Sequence, residues 1–573
     1  GNRIYYPNVS QQDFEKIPGC PIGYWVSENW ISKFEGSNLG TNSIARSGFS
    51  TGNNDKYIRL WFEISSDASF FCFSSINEYK KSTIKFIPFT AGGCFRKWYG
   101  NLYSLVNWSD TSSMHRPRTT YSDLYFHEAL TWNEVTSEKF SARYYPKGML
   151  FEHSGVSMFP KSDEFYYLGF LNSPVLLEYL TILNPTLHNG AEVVSKVPFI
   201  YKEEYDIENS VQQNISISKQ DWDAHETSWD FETNPLLAVD EETYIDNIHH
   251  EIERHEKETG ERICIDPAAP ELDSLEWRME QYKQKWEHLF MQLHENEEEL
   301  NRQFIDIYGL QDELTPDVPL NEITILQQGE ISIENDRIKW HDDVVMKQFV
   351  SYAVGCMMGR YSIDKPGLIL ANQGDGVNEY NEKVPNSRFD VDDDGIIPLM
   401  ASDTEFSDNA TLRFKQWLAI AFGDTHLVEN LNFIEGALGK SLDDYFVKDF
   451  WKDHKKMYQN RPIYWLFASK KGAFQCIAYM HRMNAYTAER IRTKYLLPHI
   501  EWLLQKQSEM EDNAANLSTA ERRKLDSIRK QIAECREYHD RLHVVADEQI
   551  AFDLDDGVVV NYAKFGDVLA KIK

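Results

Sequence analysis

Cysteine is scarce and scattered in this 573-residue sequence. The seven cysteines are odd in number and form no Cys-x-x-Cys pair. Zinc sites and disulfide frameworks need cysteines that are closely spaced or paired. The sequence therefore predicts neither of these devices, and its cysteine usage fits a reducing cytoplasm.

Long apolar runs are missing as well. No stretch of the sequence approaches the roughly 18–20 apolar residues that span a bilayer, and no signal-peptide pattern is visible. Hydrophobic residues still make up 42% and aromatic residues 13% of the chain, which is enough for packed cores. At roughly 100–200 residues per domain, the length predicts three or four domains. We expect a cytoplasmic protein with no membrane partner.

Positive charge is in short supply, and its distribution is uneven. The net charge is −31, yet residues 1–200 hold 18 Lys and Arg against 18 Asp and Glu. The later residues therefore carry the whole negative charge. Because binding to nucleic acid depends on cations at phosphates, the first 200 residues are favoured for such a role. The acidic remainder is more suited to solvent or to protein partners.

Motifs of a complete enzyme are absent. The sequence has no Walker A loop, no His-Glu-x-x-His and no Gly-x-Gly cofactor loop between a strand and a helix. Methylation of adenine N6 needs an Asn/Asp-Pro-Pro-aromatic loop around the flipped base. Asn184-Pro185 and Asn234-Pro235 are followed by Thr186 and Leu236. We therefore assign no catalytic residue, metal or cofactor to this chain.

The chain begins Gly1-Asn2-Arg3 without a methionine and enters a folded pattern at once. We interpret this start as that of a fragment whose true N-terminus lies upstream.

The pattern along the chain predicts an α+β multidomain protein. Residues 1–200 are expected to form a mixed, β-rich domain, because short aromatic and β-branched runs such as 57–62 and 84–89 alternate with turn residues. Residues 201–330 are expected to form a helical spacer, and residues 331–573 a C-terminal helical domain.

Several helices are predicted by apolar spacing. Tyr282, Trp286, Leu289, Leu293, Leu300 and Phe304 mark one face of a long helix, which we expect to stop before Pro316. A second helix begins near His341. Residues 490–545 are highly charged and carry apolar residues near heptad spacing, which predicts a helical hairpin or short coiled coil. The last piece, residues 558–572, is predicted to be β-like.

Residues 50–56, Ser-Thr-Gly-Asn-Asn-Asp-Lys, are the first candidate for DNA contact. Amides and hydroxyls read base edges, and glycine permits close backbone approach. Thr51, Asn53 and Asn54 are the candidate base-reading residues, with Lys56 beside them. The alternative is a plain hairpin turn, since Asn, Asp and Gly are common in turns.

Residues 92–101 combine a basic pair with two aromatics in a glycine-bracketed loop. This is a pattern typical of nucleic-acid contact, with phosphate charge beside a stacking surface. The alternative is a structural corner whose aromatics are core. Two further basic loops follow in the sequence. The candidates for contact with the DNA backbone are Arg96, Lys97, Trp98, Tyr99, Asn101, Arg116, Arg118, Arg143 and Lys147.

An acidic loop imitates a calcium site. Asp390, Asp392, Asp394 and Gly395 match the opening of an EF-hand, but its twelfth position is Ala401, where a bidentate glutamate is needed. We interpret the loop as a solvated acidic turn.

Three sets of residues match a known family. Gly48-Phe49-Ser50-Thr51-Gly52-Asn53-Asn54-Asp55-Lys56-Tyr57, Arg96-Lys97-Trp98-Tyr99-Gly100-Asn101 and Phe140-Ser141-Ala142-Arg143-Tyr144 resemble the target-recognition region of large methyltransferases similar to type IIL restriction–modification enzymes. The runs 221–231, 307–314 and 553–566 extend this resemblance to the PglX family, the adenine-specific DNA methyltransferases of the BREX phage-exclusion system. The resemblance spans nearly the whole chain and corresponds to the C-terminal half of the family's architecture.

The resemblance implies a function for the longer protein. It would methylate adenine N6 in a short host DNA site, with S-adenosylmethionine bound by an N-terminal methyltransferase domain, and so distinguish self from phage. This chain would read double-stranded DNA, work with other BREX proteins and meet phage DNA-mimic inhibitors. The alternative is a protein-interaction scaffold that docks those partners with little DNA contact of its own.

Overall fold

The computed structural model describes residues 10–19, 26–69, 72–136, 138–186 and 188–573. Gly1, Asn2 and Arg3, on which the expectation about the chain start rests, lie outside these residues, as does Cys20. The described residues form an α+β multidomain structure in which helices predominate and strands gather in small sheets. Within the described part of the chain, each helix is too short or too polar to cross a membrane.

The chain divides into two compact units that are assembled from separated segments. The first unit contains Gly1–Arg59, Ser69–Asp223 and Trp286–Trp340, and the second contains Leu60–Ala68, Ala224–Lys285 and His341–Lys573. The predicted boundaries at residues 200 and 330 do not coincide with these units. The nine residues Leu60–Ala68 and the division of one long helix between segments leave no local signal in composition. The domains predicted at 1–200, 201–330 and 331–573 stay a prediction.

The first unit contains two four-stranded sheets and one short hairpin. One sheet is antiparallel, with Ala129–Asn133 paired to both of its neighbours and Ser43–Ser47 at one edge. In the other, which we call the mixed sheet, Phe86–Thr90 pairs antiparallel with one strand and parallel with another. The strands are, in spatial order, Ser43–Ser47, Gly155–Pro160, Ala129–Asn133 and Ala142–Tyr145; then Ile58–Leu60, Ser104–Asn107, Phe86–Thr90 and Leu150–Phe151; and the hairpin Ile331–Glu334 with Arg337–Trp340.

An aromatic core supports the mixed sheet. Phe49 contacts Phe89 and Trp108 edge to face, with ring centroids 5.3 and 5.2 Å apart. Tyr125 and Phe151 extend the same buried cluster. The helices of the first unit are Gln11–Phe14, Glu28–Ile31, Asn54–Tyr57, Ile76–Lys81, Glu164–Leu171, Pro174–Leu183, Ala191–Ser195 and Ile207–Asp223, with the 3-10 turns Ser32–Glu35, Thr119–Tyr121 and Leu320–Glu322.

The long helix predicted from apolar spacing is Leu275–Ile307. Tyr282, Trp286 and Phe304 on its predicted face are buried, as the spacing requires. The helix ends at Ile307, before Pro316 as expected. Gly309 adopts a left-handed conformation (φ +65°), and the N–H of Leu310 bonds to the carbonyl of Ile305, which closes the helix with a glycine cap.

The second unit is mainly helical around a three-stranded antiparallel sheet. Gln475–Tyr479 is its central strand, with Ile396–Pro398 and Tyr464–Ala468 at the edges. The helices are Glu241–Thr259, Asp342–Met357, Val377–Lys383, Ala410–Phe422, Leu427–Leu438, Leu442–Asp444, Phe450–Met457, Thr487–Arg490, Leu497–Asp512, Thr519–Glu548 and Val558–Ala563, the π-turns are Tyr445–Asp449 and Ile491–Leu496, and the 3-10 turns are Trp61–Glu63, Ser66–Ala68, Met480–Arg482, Ala514–Asn516, Leu554–Asp556 and Gly566–Val568.

The helical hairpin predicted near residues 490–545 is confirmed. Leu497–Asp512 and Thr519–Glu548 pack against each other, and Leu525, Ile528 and Ile532 are buried on the second helix. Ser518 begins that helix with a capping box.

The predicted β-like tail is wrong. Val558–Ala563 is a helix whose first N–H donates to the Glu63 carboxylate at 3.0 Å, so a tertiary contact overrides the β-propensity of three valines.

Candidate nucleic-acid interface

The loop after Phe49 folds as a capped helical turn, and the plain hairpin alternative is wrong. Asn53 accepts a hydrogen bond from the Lys56 N–H through Oδ1 (3.2 Å) and caps the short helix Asn54–Tyr57. The buried Thr51 hydroxyl accepts from the Asn53 N–H (3.1 Å) and donates to Asn54 Oδ1 (2.5 Å). Both amide oxygens are therefore fixed by the loop itself.

The bonded oxygens determine which amide atoms of Asn53 and Asn54 face outward. Asn53 and Asn54 are exposed, and among the described residues no hydrogen-bond partner is recorded for the Nδ2 group of either side chain. Each amide therefore presents a donor outward. Thr51, by contrast, is 1% exposed and uses its hydroxyl twice within the loop. The prediction that Thr51 reads a base edge is corrected, because its hydroxyl positions Asn54 instead.

A second predicted loop pairs with the first, although more than 60 residues separate them in the sequence. The N–H of Ser50 donates to the carbonyl of Arg116 (2.8 Å), and the N–H of Arg116 returns to Ser50 (2.9 Å). The His115 N–H donates to Thr51 (3.1 Å). Gly52 has φ +72° and lies against the Cβ of His115, so a side chain there would meet both steric and backbone strain.

These two loops carry the exposed cations of the site. Lys56 and Arg116 are exposed and Arg118 is partly exposed. Within the part of the chain that the structure describes, none of the three forms an ion pair with a carboxylate. The pKa of Asp110 is lowered, chiefly by hydrogen bonds from Ser112 and least by Lys56, so one acid lies near this surface without pairing directly. We call Asn53, Asn54, Lys56, Arg116 and Arg118 the amide–arginine surface.

Lys147 is the third predicted basic position. It is exposed, and it lies in the turn before the strand Leu150–Phe151. The next residue, Gly148, has φ +96° and donates its N–H to the carbonyl of Phe126 (2.9 Å). Lys147 and the members of the amide–arginine surface stay predictions for DNA contact.

The loop of residues 92–101, whose sequence most resembles a nucleic-acid contact, packs its basic side chains into the interior of the first unit. Arg96 donates to the Asp221 carboxylate (3.1 Å), to the carbonyl of Tyr99 (2.6 Å) and to the carbonyl of Thr324 (2.9 Å). The Lys97 ammonium lies 2.7 Å from the Glu297 carboxylate. Both basic residues are buried, at 3% and 7% exposure. The prediction that they contact phosphates is therefore corrected, because each charge is already paired inside the first unit.

The aromatic members of that loop are core residues. Trp98 is 1% exposed, has φ +74° and donates its indole N–H to Glu297 (3.3 Å). Tyr99 is 2% exposed. Asn101 is buried and donates to the carbonyl of Cys94 (3.0 Å). The structural-corner alternative therefore holds, and the wedge or backbone role expected of these three residues is corrected.

Arg143 is also buried, with no exposed surface. Its guanidinium makes only long contacts, 3.4 Å to the carbonyl of Arg96 and 3.5 Å to that of Ala91. Burial lowers the pKa of Arg143 to about 10, because no paired carboxylate compensates for the lost water. Contact between Arg143 and phosphate is likewise corrected.

A match that the sequence interpretation missed lies at the same place. Gly48-Phe49-Ser50-Thr51-Gly52 fits Gly-x-Ser-x-Gly, the pattern of a hydrolase nucleophile at a sharp turn from strand to helix. Here the backbone of Ser50 instead forms the two-way bridge to Arg116. The geometry of a nucleophile turn is absent from these described residues.

The acidic loop of the second unit is held by internal bonds. Asp392 Oδ1 accepts from the N–H groups of Asp394 (3.1 Å) and Gly395 (2.8 Å), and Asp394 pairs with Lys494 (2.9 Å). Burial raises the pKa of Asp392 to about 8. Asp392, Asp393 and Asp394 bring ligand atoms within 4.8 Å of one another, a spacing that suits a cation. The solvated-turn interpretation is corrected, since two of the three carboxylates are buried and bonded to the chain.

The chain is similar to curated proteins over nearly its whole length. No protein-family model matches the chain. It is 34% identical over 599 aligned residues to the adenine-specific methyltransferase BrxX of Escherichia coli O9:H4 (strain HS), covering 99% of this chain and 46% of that protein. It is 35% identical to the adenine-specific methyltransferase PglX of Lacticaseibacillus casei (strain Zhang), covering 98% of this chain and 46% of that protein.

The chain is similar to adenine-specific methyltransferases. It spans about half the length of the curated relatives it matches. A solved structure of the type IIL restriction–modification enzyme MmeI in complex with DNA aligns with 49% of this chain and 34% of its own, at 11% identity and a TM-score of 0.25. That score is too low for a comparison of folds.

Proposed function

We propose that this chain is the DNA-recognition portion of a site-specific adenine-N6 DNA methyltransferase, and that the amide–arginine surface contacts the duplex. The observation that carries the proposal is the placement of exposed, unpaired cations around a loop with outward amide donors. The similarity to two named adenine-specific methyltransferases over 98–99% of the chain supports it.

The charges of Lys56, Arg116 and Arg118 favour contact with phosphate groups. In a chain with a net charge of −31, exposed cations such as Lys139 and Arg388 pair with carboxylates, here Glu322 and Asp364. No such pair is recorded for Lys56, Arg116 or Arg118 among the described residues. An unpaired cation can neutralise a phosphate without first breaking an ion pair, and release of counterions from DNA then favours binding.

The side-chain amides of Asn53 and Asn54 favour contact with base edges. Asparagine recognises adenine through its amide group, and outward Nδ2 donors suit the acceptor atoms of base edges. Asn53 and Asn54 are oriented by Lys56 and Thr51 before any ligand arrives. Such preorganisation lowers the cost of ordering side chains on binding. We assign base contacts to these two amides and phosphate contacts to Lys56, Arg116 and Lys147.

The wider proposal concerns the longer protein. It would methylate adenine in a short host site with S-adenosylmethionine and so mark host DNA against phage in a BREX system. The active-site loop that this chemistry needs is absent from the present sequence. We therefore expect this chain alone to transfer no methyl group, and methylation-aware sequencing of host DNA with and without the full-length gene would identify the site.

DNA binding by the chain itself tests the recognition role. Affinity for duplex DNA should be measured over a range of salt concentrations for the unaltered chain and for Lys56→Ala combined with Arg116→Ala. Each lost phosphate contact should reduce the slope of log affinity against log salt by roughly 0.9. Lys196→Ala, an exposed cation elsewhere in the first unit, is the control. An unchanged affinity and slope in the double variant would exclude this surface.

Protein partners follow from the same charges. An acidic phage protein that imitates DNA would compete for Lys56 and Arg116, and so should bind the unaltered chain and not the double variant. Other BREX proteins are proposed partners of the acidic helical residues. If the unaltered chain binds the inhibitor but no duplex DNA, the scaffold alternative is the better description.

A further inference from the structure

Arg118 differs from its neighbours because its backbone is left-handed. Its φ is +54° and its ψ is +40°, a conformation uncommon for residues other than Gly, Asn and Asp. It stands at the start of the 3-10 turn Thr119–Tyr121, where the N–H of Tyr121 donates to its carbonyl at 2.9 Å. The Tyr125 hydroxyl donates to the carbonyl of Pro117 at 3.2 Å. The surrounding bonds therefore hold Arg118 in a strained conformation.

The guanidinium of Arg118 is also held in place. It lies 5.6 Å from the centroid of the Tyr121 ring. That ring stacks on Phe151, with centroids 6.2 Å apart and planes only 12° from parallel. Phe151 belongs to the buried core of the mixed sheet. A planar cation therefore sits on an aromatic stack that is anchored in the core.

A buried polar atom without a partner adds a second energetic cost to the strained backbone of Arg118. The Nε of Arg118 is shielded from solvent and has no hydrogen-bond partner. Strained backbones and unsatisfied buried polar groups are rare, and they concentrate at functional sites. Neither the strain nor the orphaned Nε is needed for a phosphate contact, because a flexible lysine or arginine makes that contact equally well.

We infer that Arg118 reads a guanine edge in the major groove, with the two Nη groups donating to O6 and N7. The inference rests on the proposed function and goes beyond it, since it separates Arg118 from the phosphate-binding cations. A rigid, planar fork is the geometry that bidentate guanine recognition requires, and the guanidinium of Arg118 is preorganised for it. Arg116 is exposed, and among the described residues no aromatic ring lies beneath its guanidinium.

The test is selection of duplexes from a library with randomised positions, carried out with the full 573-residue chain. Arg118→Lys keeps the charge and removes the planar fork. Arg46→Lys, at an exposed arginine of the same unit outside the amide–arginine surface, is the matched control. We expect Arg118→Lys to lose about tenfold or more of the preference for guanine at one position, with an unchanged salt slope. Arg46→Lys should keep the selected sequence.

Arg118→Gly separates recognition from folding. Glycine relieves the left-handed strain, so this variant should melt at or above the temperature of the unaltered chain while losing the same guanine preference. An unchanged selected sequence in both Arg118 variants, or an equal loss of affinity for all duplexes, would overturn the inference and leave the proposed function standing. If the unaltered chain selects no sequence and binds no duplex, the proposed function fails with it.

Discussion

The guanidinium of Arg96 lies 3.1 Å from the carboxylate of Asp221, and the two side chains are only 4% and 2% exposed. The pair joins the loop of residues 92–101 to the helix Ile207–Asp223. Asp221 also accepts the N–H of Leu326 at 2.9 Å. The run of the sequence that most resembles a nucleic-acid contact is therefore an internal scaffold of the first unit.

Removal of one partner from this pair should be costly. Asp221→Ala leaves the Arg96 charge buried and uncompensated, which typically lowers the free energy of unfolding by about 3–5 kcal/mol. Urea denaturation followed by tryptophan fluorescence measures the loss. Glu322→Ala, which breaks the exposed pair with Lys139, is the control and should cost at most about 1 kcal/mol. Equal effects of the two substitutions would contradict the scaffold role.

Gly48 is a position where the mixed sheet tolerates no side chain. A Cβ added there would overlap the backbone carbonyl of Phe151, which has no room to move within its strand. Gly48→Ala should destabilise the first unit by about 1–3 kcal/mol or more. Gly436→Ala is the control, because Gly436 is exposed in the helix Leu427–Leu438 with nothing near its Cβ. That variant should gain about 0.5–1 kcal/mol, and thermal melting would compare the two.

His454 makes the second unit sensitive to acid. Its Nε2 accepts the N–H groups of Ile463 and Tyr464, both at 3.1 Å, so the ring is neutral in the folded chain. Burial, assisted by the charge of Arg360, lowers the pKa of His454 to about 3. Because the unfolded state takes up a proton first, this contribution to stability is complete above pH 6.5 and is lost as pH falls toward 3.

The expected loss is about 1.4 kcal/mol per pH unit below 6.5 for this histidine. Because other groups titrate in the same range, the comparison is between variants. His454→Gln should show a smaller loss of unfolding free energy between pH 7 and pH 5 than the unaltered chain. His127→Gln, at an exposed position, should behave like the unaltered chain. The same pH dependence in all three proteins would refute the assignment.

Asn54 should affect sequence discrimination more than affinity in general. Asn54→Ala removes an outward amide donor but no charge, so we expect a loss of about 1–3 kcal/mol of preference at one base pair and an unchanged salt slope. Competition binding with single-substituted duplexes measures this effect. Asn209→Ala, an exposed asparagine of the same unit, is the control. A uniform loss across all duplexes would assign Asn54 to the DNA backbone instead.

The local sequence was sufficient to predict the helices that are marked by apolar spacing within their own residues. The long helix through Tyr282 and Trp286, the helix that begins after His341 and the hairpin around Ser518 all follow from apolar spacing. The sequence also predicted which loops hold amides and cations. It predicted a β-like segment where a helix begins at Val558, because a carboxylate distant in the sequence, that of Glu63, binds the first N–H of that helix.

Only the tertiary structure distinguished the cations from one another. Arg96 and Arg116 both lie in basic loops, and nothing in their neighbouring residues tells them apart. Arg96 bonds to Asp221 and Lys97 to Glu297, at separations of 125 and 200 residues along the chain. Burial and pairing across such distances are properties of the folded unit. The sequence by itself determined which loops carry cations and amides, and the fold decided which of them remain on the surface.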